Sequence, residues 1–174
     1  MRTLLHRYVS EVVYGSNDGL VTTFAVVAGV TGAALDNEVI LILGFVSLLA
    51  DGSSMAASDF LSHRSREARD GEDAVRGDEP PPSRTALATF AAFLIAGSVP
   101  LISYIVPIPQ SWRFPVAAVL TGVTLFTIGA ARSTVTARPW WRNGAEMFLV
   151  GAGAAGIAFV VGRLLSDIGG GAAV

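Results

Sequence analysis

The chain has 174 residues, of which 52% are hydrophobic and 15% charged, against roughly 25% charged in an ordinary soluble domain. It holds no cysteine and its basic residues are all arginine, which excludes disulfides, thiolate metal sites, thiol catalysis and Schiff-base chemistry. A net charge of −2 leaves no basic footprint for nucleic acid.

The N-terminal stretch MRTLLHRYVSEVV is broken by Arg7 and Glu11 before a signal-peptide core can form, so it is expected to remain in the mature protein. Nothing in it reads as an organelle address, and a prokaryotic plasma membrane is the expected location. Leu5, Val9, Val12 and Val13 share one helical face, with Arg2, His6, Ser10 and Glu11 largely on the other. The motif YGSNDGLVTTFAVVAGVTGA follows, and its uncharged run Gly19 to Leu35 gives about 25 Å of helix. That is short of a hydrocarbon layer of about 30 Å, so a helix over 10–35 is predicted. Two readings of Asp18 stay open. Either it is an acid carried into the membrane, where it needs a partner, a cavity or a function, or the stretch before it lies flat on the inner surface and Asn17 or Asp18 is a helix cap.

The second run, Val39 to Leu61, predicts a helix over 38–62 and contains LLADGSSMAASDFLS. Asp51, Met55 and Asp59 recur every four residues and form one stripe, which Ser47 extends by a turn. The short turn Asp36-Asn37-Glu38 makes an antiparallel hairpin that brings Asp18 and the stripe to similar depth. Carboxylate oxygens with a thioether sulfur suit a borderline transition metal such as Fe²⁺ or Mn²⁺, whereas calcium takes all-oxygen sites. Asp18, Met55, Asp51 and Asp59 are therefore the candidate metal residues. The plainer readings are that Met55 packs and Asp59 is solvated at the helix end.

A segment over 63–84, with six acids offset by arginines and Pro80-Pro81-Pro82, reads as a solvated cytoplasmic linker. Thr85 to Trp112, Phe114 to Ala131 and Met147 to Gly162 then predict helices over 85–107, 113–133 and 144–165. Glu146 falls in the first turn of the last one, where an acid suits the helix dipole. Small residues at helical spacing (Ala25, Gly29 and Ala33; Gly151 with Ala155, or Ala152 with Gly156) allow close helix contacts, within the chain or across a dimer seam.

The reading is an all-α integral membrane protein, one transmembrane domain over 1–174 with five transmembrane helices. With the N-terminus inside, ten arginines lie inside and only Arg113 and Arg163 outside, which favours N-in/C-out. Tyr104 and Trp112 fall near the outer interface, Trp140 and Trp141 near the inner one. No Ser–His pair stands at a credible depth, and a glycine-rich phosphate loop and a histidine cluster for zinc are missing, so an enzyme is not expected and no cofactor is implied.

The pairing of NDGLV in the first span with DGSSM in the second resembles the vacuolar iron transporter family, strongly over 8–63 and mainly in topology beyond. The resemblance implies a homodimer with the ion path at its interface, and export of Fe²⁺ or Mn²⁺ from the cytosol by proton antiport. It places the family's transport residues on Asp18 and Met55. Well-studied members carry a long metal-collecting insertion between the second and third helices. Here the corresponding segment is short and holds no methionine, so the chain resembles the short form. Where some relatives carry a further carboxylate higher in the second helix, this chain offers Ser47. The rival reading is a non-transporting dimeric scaffold or stress protein whose acids only pair helices.

Overall fold

The computed structural model describes residues 2–70, 81–134, 136 and 138–170. Regular structure among them is helical throughout: α1 (Arg2–Gly32), α2 (Asn37–Asp70), α3 (Pro82–Gly97), α4 (Ile102–Ile105), α5 (Gln110–Ala131) and α6 (Trp140–Gly170), with 3₁₀ turns at Val99–Leu101 and Arg132–Thr134.

The long helix without a segment apolar enough to count as a membrane span sits in the middle. α1 packs against α2, α3, α5 and α6, and buries Leu20, Thr23, Val27 and Ala28 almost completely. Close approach depends on missing side chains. A Cβ on Gly15 would lie 2.6 Å from the Thr89 carbonyl oxygen, and one on Gly19 would run into the Phe93 carbonyl of α3. On the other side, Gly32 abuts the Phe159 carbonyl and Gly162 abuts the Gly29 carbonyl, which brings α6 against α1 backbone to backbone. Stacking of Phe24 on Phe114 (6.0 Å) and of Phe114 near Phe159 (6.2 Å) ties α1, α5 and α6 into one core. The face Gly151–Ala155 is buried inside the chain, while Gly153 and Gly156 have open space before them.

Four segments are long and apolar enough to cross a membrane: Asn37–Arg66, Pro82–Ile105, Gln110–Thr134 and Trp140–Ile168. α1 has the length, 31 residues or about 46 Å. Its polar stretch from Glu11 to Asp18 leaves it outside that group, so the five expected spans reduce to four that qualify by length and apolarity. A central helix is screened by its neighbours and has no need of an apolar surface all round.

Several boundaries differ from those expected. α2 runs through Asp70, eight residues past 62, because SHRSREARD is rich in good helix formers. Residues 71–80 of the expected linker, with Glu72, Asp73, Asp78 and Glu79, lie outside the described residues. The third run is not a single helix. Pro100 lacks an amide hydrogen and breaks the ladder into a 3₁₀ turn, so α3 ends at Gly97 and α4 completes the span. Trp112 belongs to α5. α6 starts at Trp140, which puts Glu146 beyond the first turn and 3.6 Å from Arg138. Trp112, Trp140 and Trp141 are exposed, whereas Tyr104 is 5% exposed and packs in the core.

Candidate functional site

α1 and α2 are joined by the tight turn Ala33–Asp36. The Ala33, Ala34 and Leu35 amides bond back to Gly29, Thr31 and Val30, and Ala34 takes a positive φ of 56°. This turn fixes the register of the hairpin. Asp18 lies fourteen residues before Gly32 and Asp51 fourteen after Asn37, so both stand about 21 Å along their helices from the turn. That places the two carboxylates at one depth on neighbouring helices. Both Asn17 and Asp18 are interior positions of an unbroken α1, which removes the capping reading of either residue.

The stripe on α2 forms as its spacing dictates. Ser47 Oγ donates to Asp51 Oδ2 at 2.7 Å, and Met55 follows one turn on, half-buried. Gly44, Leu48 and Gly52 form the face by which α2 leans on α3 and the loop after it, with Gly52 seated against the Phe90 and Phe93 rings. Asp51 projects from the edge beside that face. It is exposed, although it sits within an apolar membrane-length segment. Asp59 is two turns beyond it. One of its oxygens lies 3.7 Å from His63 Nε2, and the other is buried with no partner.

Asp18, Asp51 and Met55 thus share one part of the hairpin, and Asp59 lies nearer the end of α2. Among the described residues no three histidine, aspartate or glutamate side chains converge closely enough to hold a metal ion. Sequence reasoning missed two further oxygens on α1: Glu11 Oε2 and Asn17 Oδ1, both buried and without a hydrogen-bond partner. Glu11 precedes Asp18 by seven residues, two helical turns on the same face, and that spacing is the signal that marks it.

A family model described as the VIT family matches residues 9–76 and 67–163. The chain is 31% identical over 173 residues to the protein named "Vacuolar iron transporter homolog 5" of Oryza sativa, covering 93% of this chain and 82% of that one. It is 30% identical over 175 residues to "Vacuolar iron transporter homolog 2" of the same plant, covering 93% of each. "Vacuolar iron transporter" of Toxoplasma gondii is 25% identical, with 91% of this chain and 74% of that protein covered. That alignment runs over 224 positions against a chain of 174 residues, so at least 50 of them are insertions in the relative.

Proposed function

The chain belongs to the VIT family, and from that premise we propose that it carries a divalent transition-metal ion, Fe²⁺ or Mn²⁺, across a membrane. Relatives named as iron transporters support transport, and not catalysis, as the role of this fold. The observation that carries the reading is the placement of Asp18 and Asp51 at one depth of the α1–α2 hairpin, with Met55 one turn away. Two anionic oxygen donors and a polarisable sulfur suit a borderline cation that must bind transiently.

The exposure of Asp51 bears on assembly. A carboxylate facing lipid at mid-span costs about 2.5–3.5 kcal/mol even on the mildest scale. A second copy apposed along α2 covers it and doubles the incomplete ligand set. In this reading the chain works as a homodimer with the ion path at the interface, α1 crosses the membrane as a fifth span, and N-in/C-out follows the arginine bias. Export from the cytosol runs against proton entry: the carboxylates bind metal when ionised and release it when protonated from the far side. The short 63–84 segment serves as a linker. The relatives' names place them at a vacuole; the plasma membrane is our assignment here, tested by locating a tagged copy.

The test is reconstitution in liposomes loaded with a metal-quenched dye, with influx of Fe²⁺ and Mn²⁺ followed with and without a pH gradient. Flux that follows the gradient and weakens in Met55→Ala supports the reading. Silence for both metals in folded, dimeric protein would favour a scaffold whose acids only pair helices.

A further inference from the structure

We propose that the groove between α5 and α6 binds one acyl chain of an anionic phospholipid, whose phosphate is held by the arginines where the two helices meet. The groove has a volume of about 590 Å³ and is lined by Ala118, Val119, Gly122, Val123, Phe126 and Phe148, with Thr127 at its end. Gly122 deepens its floor: a Cβ there would lie 2.8 Å from the Phe148 ring. Val119 and Val123 on its rim are 65% and 61% exposed.

Length and charge select the occupant. From Ala118 to Thr127 the groove extends about 14 Å along α5. That is about half of a hydrocarbon layer of about 30 Å, the reach of one leaflet. A packed transmembrane helix would fill the whole span. The groove spans the middle of α5, and its Phe126–Thr127 end faces the junction where α5 meets the start of α6. There Phe126 packs edge-to-face on Trp140 (6.1 Å), and next to it Arg142 lies over the Trp141 ring (5.1 Å). Arg132 closes α5 at the same end. Arg138 is paired with Glu146, but among the described residues neither Arg132 nor Arg142 has a carboxylate partner. An apolar slot one leaflet long, ending in an indole pair and two uncompensated guanidinium groups, matches a fatty chain joined to a phosphate.

The test is native mass spectrometry of the purified full chain titrated with phosphatidylglycerol or phosphatidylcholine. Wild type is expected to retain one phosphatidylglycerol per chain in preference to phosphatidylcholine. The double variant Arg132→Gln/Arg142→Gln should bind phosphatidylglycerol about fivefold more weakly per arginine removed, with phosphatidylcholine unchanged. Val123→Trp, which fills the slot from an exposed position, should abolish retention of either lipid. Equal retention of the two lipids by wild type overturns the proposal, as does wild-type retention of phosphatidylglycerol in the double variant. Conversion of an oligomer to monomers by Val123→Trp also overturns it, since the slot would then seat a second copy. If Val123→Trp fails to fold, the arginine variant decides alone.

Discussion

In the proposed path Asp18 carries the heaviest load, and it has the least structural excuse for its place. It lies inside α1, so it caps nothing, and Asp51 stands at the same depth on α2. Asp18→Asn keeps the shape and removes the charge. Metal flux is expected to fall at least tenfold, taking about 10- to 100-fold as the effect of a metal's supporting groups, while elution as an oligomer on size exclusion is unchanged. Wild-type flux in that variant would remove Asp18 from the path. Met55→Leu conserves volume to a cost of under about 1.5 kcal/mol but deletes the sulfur. Iron flux should weaken with little change in melting temperature, and a large loss of stability with intact flux would return Met55 to packing. The stripe of Asp51, Met55 and Asp59 was legible in the sequence because spacings of four on a helix define it without any tertiary information, and Asp18 stood out as an acid at the start of an apolar run. Glu11 and Asn17 were not, because an acid or amide in an amphipathic stretch looks solvated until another helix covers it. Their buried, unpartnered oxygens are a product of packing.

At the scale of elements, the hairpin turn and the glycine contacts set where those residues sit. Ala34 adopts the left-handed conformation that glycine usually fills at a helix end. Ala34→Gly should stabilise the protein by about 0.5–1 kcal/mol, the strain relieved less the added freedom of the unfolded chain. Thermal unfolding in detergent reads this directly, and a lower melting temperature would mean that the turn is held by something other than backbone preference. Gly19 and Gly153 make a sharper contrast. A methyl on Gly19 runs into the α3 backbone, whereas one on Gly153 meets nothing. Gly19→Ala should destabilise by about 1–3 kcal/mol, and Gly153→Ala should be neutral or stabilising by up to about 1 kcal/mol. Equal effects would refute the packing of α1 on α3. Sequence periodicity located the long apolar segments well, since about 20 apolar residues are needed to cross a bilayer. It misplaced the ends of α2 and the third run, because hydropathy registers neither the helix propensity of a charged extension nor the missing amide of Pro100.

The whole molecule inverts the usual expectation that the most apolar helix is the most buried. α1 is enclosed by four neighbours, while α2 and α6 display Ile42, Val46, Leu49, Leu149, Val150 and Ile157. No single-helix pattern predicts that arrangement, since it depends on which faces the other helices leave open. The outward surface divides into an apolar part and the edge of α2 that carries Asp51, Ser54 and Met55, and apposition of two copies along that edge is what the proposed path requires. The natural absence of cysteine makes this directly testable. Ser54 and Ile157 are both exposed, the first beside Asp51 and the second on α6. Ser54→Cys is expected to form a disulfide-linked dimer on mild oxidation in native membranes, since sulfurs bridge only when their Cα atoms approach within about 7 Å. Ile157→Cys should stay monomeric under the same conditions. Prior addition of Mn²⁺ should slow the Ser54→Cys cross-link if the ion occupies the seam beside it. Cross-linking through Ile157→Cys alone would move the interface to α6, leave Asp51 uncovered by a partner, and require each copy to enclose its own path.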